Sequence, residues 1–234
     1  MSYTRDSATT DCPVGSARGQ YGPMPKPSGA NPRNTDAPPE TARSIHPQVR
    51  VPIVADAERL AEINRDTWRH AYAGIVPDAY LETLDLDRFR ARWVERLTGA
   101  ADDRVCFVAE LDGLVAAYSV GGQYRVQHDA EPEDTTGWGE VYAIYTHPEM
   151  QGRGAGLALH GAVLDALREQ GCSVAALWVL RHNTRSRRWY GDHGWRPDGA
   201  TSMWLGAGEP LKEVRLTRST STARAVEGPS EEPD

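Results

Sequence analysis

One stretch of this 234-residue chain restricts its fold more than any other: Gln151-Gly152-Arg153-Gly154-Ala155-Gly156. The apolar run Val141-Tyr142-Ala143-Ile144-Tyr145-Thr146 precedes it, across the short turn His147-Pro148-Glu149-Met150. Leu157 then opens a helical pattern that continues to Leu167. Strand, glycine-rich turn and helix start, in that order, build an anion site. The first turn of a helix leaves its N–H groups without intrahelical partners and carries the positive end of the helix dipole. Glycines let a phosphate approach that backbone closely. The turn therefore predicts a phosphate-bearing ligand.

Spacing narrows the ligand. A Walker P-loop needs Lys and a hydroxyl after its last glycine, but Leu157 and Ala158 follow Gly156. A dinucleotide fingerprint wants a glycine at 157 or 159, and both positions are Leu. The pattern Q/R-x-x-G-x-G/A is met by Gln151, Gly154 and Gly156. A second segment runs from Asn183 through Trp189-Tyr190 to Gly194-Trp195. In these two segments the chain resembles the Gcn5-related N-acetyltransferase (GNAT) superfamily, with Trp195 where the family usually carries Phe. The motifs lie within about 140–195, and the element order extends the resemblance over most of 47–218.

That order is β-α-α-β-β-β-α-β-α-β(-β), an α/β (α+β) chain with a three-layer mixed sheet flanked by helices, as in the GNAT-like acyl-CoA N-acyltransferase fold. The expected pieces are an edge strand over 49–54, since it contains Pro52, and a helix capped by Asp56 with Leu60, Ile63, Thr67 and Trp68 on its apolar face. A second helix carries Phe89, Trp93, Val94 and Leu97. Asp112-Gly113 marks a hairpin between strands 105–110 and 114–120. Strand 139–146, helix 154–170 and an all-apolar strand 174–180 follow, the two strands running parallel because a helix joins them. A short helix starts at Asn183, and final strands are expected near 194–196, 202–205 and 214–217. Residues 1–46 and 219–234 lack periodic apolar positions and read as disordered extensions of a folded unit at 47–218.

The resemblance implies acetyl-CoA as acyl donor, with its pyrophosphate on the amides of Gln151, Gly152, Arg153, Gly154, Ala155, Gly156 and Leu157. Arg153 adds a charge near the anion. Its pantetheine arm would pair with the backbone of Ile144, Tyr145 and Thr146, because its amides resemble a peptide strand. Asn183 is a good helix N-cap and a cofactor contact by match. Tyr190, two turns along that helix, corresponds to the family's acid for the departing thiolate; a phenol of pKa near 10 suits this. Glu140 lies eleven residues before Gln151, where histone-type members place a general base, and alternation would put it on one face with Tyr142 and Ile144. An exposed strand-start carboxylate is the plain alternative. At Trp178 the chain lacks the acidic base of N-terminal peptide acetyltransferases.

Acceptor contacts are expected from Trp68, Tyr72 and the 74–77 loop. An acidic loop with Asp129, Glu131, Glu133 and Asp134 would favour a cationic amine, unless it is simply solvated. Net charge −7 and a pI near 5.5 argue against a nucleic-acid binder, and the cluster Arg181, Arg185, Arg187 and Arg188 reads as exposed helix charge that can reach CoA phosphates. No apolar run nears the roughly 18 residues of a membrane span. Without a secretory h-region, a cytoplasmic protein is expected. Three scattered Cys and no ligand-spaced His pair give no reason to expect a metal. The expected activity is N-acetyl transfer to a primary amine by direct attack in a ternary complex. The alternative is a non-catalytic acyl-CoA-binding module. Homodimers are common in the family, and one is compatible with this chain.

Overall fold

The computed structural model describes residues 46–99, 103–126 and 134–220. The expected tails lie almost wholly outside these residues, as do Asp129, Glu131 and Glu133. The described elements are β1 (Gln48–Arg50), α1 (Ala57–Ala71), α2 (Asp78–Glu82), α3 (Leu86–Thr98), β2 (Val105–Leu111), β3 (Leu114–Gln123) and β4 (Trp138–Thr146). They continue with α4 (Ala155–Glu169), β5 (Val174–Leu180), α5 (Thr184–Asp192), β6 (Arg196–Trp204) and β7 (Leu211–Ser219). Among the described residues seven strands form one sheet, ordered β1-β2-β3-β4-β5-β7-β6. Every neighbouring pair is antiparallel except β4 and β5, which run parallel as a helical crossover requires.

Two cores explain the layers. On one face Leu60, Ile63 and Trp68 of α1 and Trp93 of α3 pack against Tyr118, Tyr145 and Leu180. On the other, Leu159, Val163 and Leu167 of α4 and Tyr190 of α5 cover Val141, Ile144, Leu177 and Val179. Helical spacing of the apolar residues produces each stripe. The sheet between is apolar on both sides, which is why 174–180 carries no alternation. Asp112 (φ 54°) and Gly113 (φ 77°) make the β2–β3 hairpin turn with two left-handed residues.

Three expectations change. The first strand stops at Arg50, before Pro52, although it does lie at the sheet edge. Asp56 occupies the N-cap position of α1 without capping it. Its carboxylate turns back to accept from the Ile53 N–H at 2.8 Å and from Arg50 at 2.7 and 2.9 Å. The final strands are two rather than three: 196 and 202–204 belong to one strand, β6, whose register with β7 slips between Pro197 and Thr201. Gly199 (φ 96°) absorbs that irregularity, which from sequence looks like a break.

A buried polar contact ties α4 to the start of β6. Trp195 Nε1 donates to His160 Nε2 at 2.9 Å, which requires the neutral ring. Burial, then the nearby charges of Arg218 and His193, hold the His160 pKa down to about 4. Since an unfolded histidine titrates near ~6.5, the unfolded chain takes up this proton first as pH falls. The associated stability is complete above about 6.5, declines towards pH 4 and is lost below it, by up to about 3 kcal/mol. Denaturant unfolding at pH 7, 5.5 and 4.5 should show this decline in the native protein and a shallower one in His160→Gln, whose amide still accepts from Trp195. Parallel pH profiles would remove His160 as the cause.

Candidate active site

The site begins where two strands separate. The β4–β5 ladder covers only Trp138–Glu140 against Val174–Ala176. Beyond Glu140, β4 stays paired to β3 through Thr146, and beyond Ala176, β5 stays paired to β7. The inner edges of both strands therefore face a gap with no ladder between them. Ile144, Tyr145 and Thr146 lie along it; the first two side chains are buried on opposite faces of the sheet. Thr146 is fixed by its carbonyl, which accepts from Thr67 Oγ1 at 3.2 Å and from Gln151 Nε2 at 3.3 Å. Gln151 thus orients the turn through its side chain.

Above the gap stands the N-terminus of α4. The first intrahelical bond runs from the Ala158 N–H to the Gly154 carbonyl, so the amides of 155–157 precede the helix ladder. Gly152 and Gly154 adopt left-handed conformations (φ 78° and 88°) and are exposed with Arg153 and Leu157, whereas the Ala155 side chain is buried. A Cβ on Gly156 would approach Thr146 Oγ1 to 3.2 Å, so that residue must be small for the helix to sit against the strand end. Arg153 departs from the expectation that its charge serves the turn. Its Nη2 reaches Asp112 Oδ2 in the β2–β3 hairpin at 2.6 Å.

At the apex of the gap sits Glu140. It is 1% exposed, so it is not a solvated strand-start carboxylate. Arg125 surrounds it: the backbone N–H donates to Oε2 at 3.0 Å, Nε to Oε2 at 3.2 Å and Nη2 to Oε1 at 2.6 Å. The guanidinium lies 3.9 Å from the centroid of Tyr142. Simple alternation fails here. Gly121 pairs with Val141 and Val120 with Ala143, so β4 carries one extra residue, Tyr142. The bulge leaves Glu140 and Tyr142 on the α1 side and sends Ile144 to the α4 side. Sequence reading missed Arg125, although it is the one Arg or Lys between Gln123 and Glu140 and a buried carboxylate demands a cation.

On the same face, one step past the end of the β5 ladder, is Trp178. Its buried indole N–H has no hydrogen-bond partner. Next to it the Arg215 guanidinium lies within 5.1–5.6 Å of the rings of Tyr124, Trp138 and Trp178. Arg215 also donates to Asp198 and to the Tyr124 hydroxyl, both at 2.7 Å.

The far wall of the gap is α5. Asn183 is buried and its side chain caps the helix, accepting from the Ser186 N–H at 3.1 Å. It lines a cavity of about 110 Å³ together with His70, Ala71, Ile75, His182, Thr184 and Arg185. Tyr190, seven residues on, shares the buried side of α5 with Asn183 and packs against Trp189 and Trp195. Burial raises its pKa well above the ordinary phenol value. The expectation for Trp68 and Tyr72 is corrected: at 1% and 0% exposure they are core residues. Trp68, on the apolar stripe of α1, and Tyr72, at its C-cap, join an aromatic cluster with Tyr80 and Trp204. From that segment it is His70, Ala71 and Ile75 that reach the cavity. A second cavity, about 480 Å³, lies by Tyr124, Trp138 and Gln170 at the opposite end of β4. Among the described residues no three His, Cys, Asp or Glu side chains group as metal ligands, and no helix is long and apolar enough to cross a membrane.

Comparison with known proteins agrees with this architecture. The model of the acetyltransferase (GNAT) family matches residues 58–195. The uncharacterized N-acetyltransferase YuaI of Bacillus subtilis is 32% identical over 137 residues, which cover 58% of this chain and 72% of that protein. Among solved structures, the PaiA N-acetyltransferase of Thermoplasma acidophilum in complex with coenzyme A superposes with a TM-score of 0.56 at 17% identity, covering 75% of this chain and 99% of that one. Ribosomal-protein-alanine N-acetyltransferase from Brucella melitensis gives a TM-score of 0.56 at 23% identity over 74% of this chain and 99% of that one. At these identities both likenesses concern the fold.

The left-handed turn has a measurable cost of substitution. Gly154→Ala forces a side chain into φ 88° and should destabilise the protein by about 1–2 kcal/mol. Gly161→Ala, in mid-α4 with nothing within 4 Å of the new Cβ, should stabilise by about 0.5–1 kcal/mol. Thermal melts of the two variants should therefore move in opposite directions. A Gly154→Ala melt at or above the native value would contradict the assigned turn geometry.

Proposed function

The chain belongs to the GNAT family of acetyltransferases, and we propose that it transfers the acetyl group of acetyl-CoA to a primary amine bound together with it. The observation that carries this reading is the gap between β4 and β5, which opens directly beneath the amides at the start of α4. A pantetheine arm carries amides spaced like those of a strand, so it can pair along Ile144, Tyr145 and Thr146, on the edge of β4 that has no ladder to β5. Its diphosphate then meets the N–H groups of residues 152–157 and the helix dipole. Asn183, in the wall of the cavity, faces the same arm. The crystal complex of the Thermoplasma acidophilum neighbour with coenzyme A supports the ligand class.

With the thioester at the apex, a neutral amine attacks the carbonyl carbon, and a backbone N–H of β4 polarises the carbonyl oxygen. Collapse of the tetrahedral species breaks the C–S bond. Tyr190 gives its phenolic proton to the departing thiolate, and burial keeps that phenol protonated throughout the working pH range. Glu140 is the carboxylate nearest the apex on the opposite face, placed to receive the proton that the acceptor ammonium must lose.

Tyr190→Phe keeps the ring packing and removes only the proton. It should lower kcat by about 10²-fold while acetyl-CoA affinity, measured by calorimetry, stays within a few-fold. Turnover is read as CoA thiol released against a panel of amines. An unchanged kcat would exclude Tyr190 as the acid. If the purified protein failed to bind acetyl-CoA at millimolar concentration, the proposal itself would fall.

A further inference from the structure

We infer that the small cavity between the end of α1 and the start of α5 is a second phosphate seat, which takes the 3′-phosphate of coenzyme A and makes the protein selective for donors that carry it. This rests on the reading of the β4–β5 gap as the donor's track. Arg185, His70, His182 and Thr184 line the cavity, Ala71 and Ile75 add apolar surface, and no Asp or Glu takes part. Each of those four polar side chains can donate a hydrogen bond, and the guanidinium is permanently charged, so the lining suits an oxyanion. Its volume of about 110 Å³ corresponds to roughly three or four waters at about 30 Å³ each. That is room for one phosphate group and too little for a nucleoside.

The cation at this cavity has no counter-ion. Among the described residues the Arg185 guanidinium forms no hydrogen bond or ion pair, and burial alone acts on its pKa, lowering it. The imidazoles of His70 and His182 have no partner among those residues either. Elsewhere in this chain of net charge −7, Arg50, Arg153 and Arg215 each meet a carboxylate. An unmatched guanidinium beside a cavity is thus a place where the counter-ion arrives with a ligand. The first turn of α5 adds a backbone donor. The Thr184 N–H is taken by the His182 carbonyl and the Ser186 N–H by Asn183 Oδ1, which leaves the Arg185 N–H.

Position favours the donor over the acceptor. Glu140 is level with Ala176. From Ala176 to Leu180 the strand rises roughly 13 Å, and His182 lies two residues beyond. The cavity therefore stands at the open end of the gap, far from the apex where an amine would react. It also lies on the α1 side of the sheet, whereas the turn at 152–157 belongs to α4 on the other side. A coenzyme A thioester carries a diphosphate and, on its ribose, a separate phosphate. The turn accounts for the first and the cavity for the second.

Calorimetry on the full chain with coenzyme A and with dephospho-coenzyme A, which lacks the 3′-phosphate, tests this. The native protein should bind coenzyme A about 10-fold more tightly than the dephospho form. Arg185→Gln, a change at an exposed side chain, should bind the two within about twofold of each other, at the native protein's affinity for the dephospho form. Equal binding of the two ligands by the native protein would overturn the inference. So would an equal loss of both in Arg185→Gln, which would put the guanidinium on the diphosphate instead. A third overturning result is a higher KM for the amine in Arg185→Gln with both donor affinities unchanged, since it would assign the cavity to an anionic group of the acceptor. The two readings fail separately: if neither ligand binds the native protein the proposed reaction falls, and if both bind equally only the second seat does.

Discussion

Everything at this site follows from a ladder that stops early. β4 and β5 share backbone pairs over Trp138–Glu140 and Val174–Ala176 and then part, each held by its other neighbour. Buried backbone groups are rarely left without partners in folded proteins. The inner edges of the two strands, which share no ladder beyond Glu140 and Ala176, are where a peptide-like arm would lie under the proposed reading. The same parting sets the address of each side chain: Glu140 at the apex, Tyr142 and Trp178 one step beyond on one face, and Asn183 and Tyr190 on the helix after β5. The start of α4 lies over the open end because α4 is the crossover joining the two strands.

Charge is arranged in ion pairs at both ends of the gap. Glu140 is matched by Arg125, Asp198 by Arg215, and Arg153 by Asp112. Buried pairs seldom add net stability, but they fix geometry, and removing one partner leaves the other uncompensated. For Arg215 the fixing is complete: three aromatic rings and two hydrogen bonds surround it. Arg153 pairs at the surface, where such contacts are worth about 0–1 kcal/mol. A diphosphate on the turn could therefore compete for its guanidinium at little cost.

Local patterns in the chain made much of this legible. The glycine spacing of 151–156, the Asp112-Gly113 turn, the Asn183 cap and the stripe on α1 each depend on a few adjacent residues. The family, the three layers and the parallel pair follow from their order. What escaped was set by contacts across the sheet. A bulge at Tyr142 is decided by pairing with β3, so alternation within β4 alone gave Ile144 the wrong side. Arg125 finds Glu140 across fifteen residues of chain, through the hairpin of β3 and β4. Trp68 and Tyr72 were expected at the acceptor site by the resemblance, yet the α1 stripe and its C-cap commit them to the aromatic core.

The strand opposite the bulge explains why it can exist. Gly121 faces Val141 and Gly122 faces Glu140. A Cβ on Gly121 would come within 2.7 Å of Val163 Cγ2 and 3.0 Å of the Glu140 carbonyl, and one on Gly122 within 2.8 Å of the Tyr142 hydroxyl. Ordinary side chains at these two positions would push α4 off the sheet or lift the Tyr142 ring from its bond to Gln123. The placement of Tyr142 beside the Glu140–Arg125 pair is therefore encoded partly by the absence of atoms on β3. That dependence joins fold to site: the glycines leave room for the bulge, the bulge sends Ile144 to the opposite face from Tyr142, and Arg125 lies against both Glu140 and Tyr142.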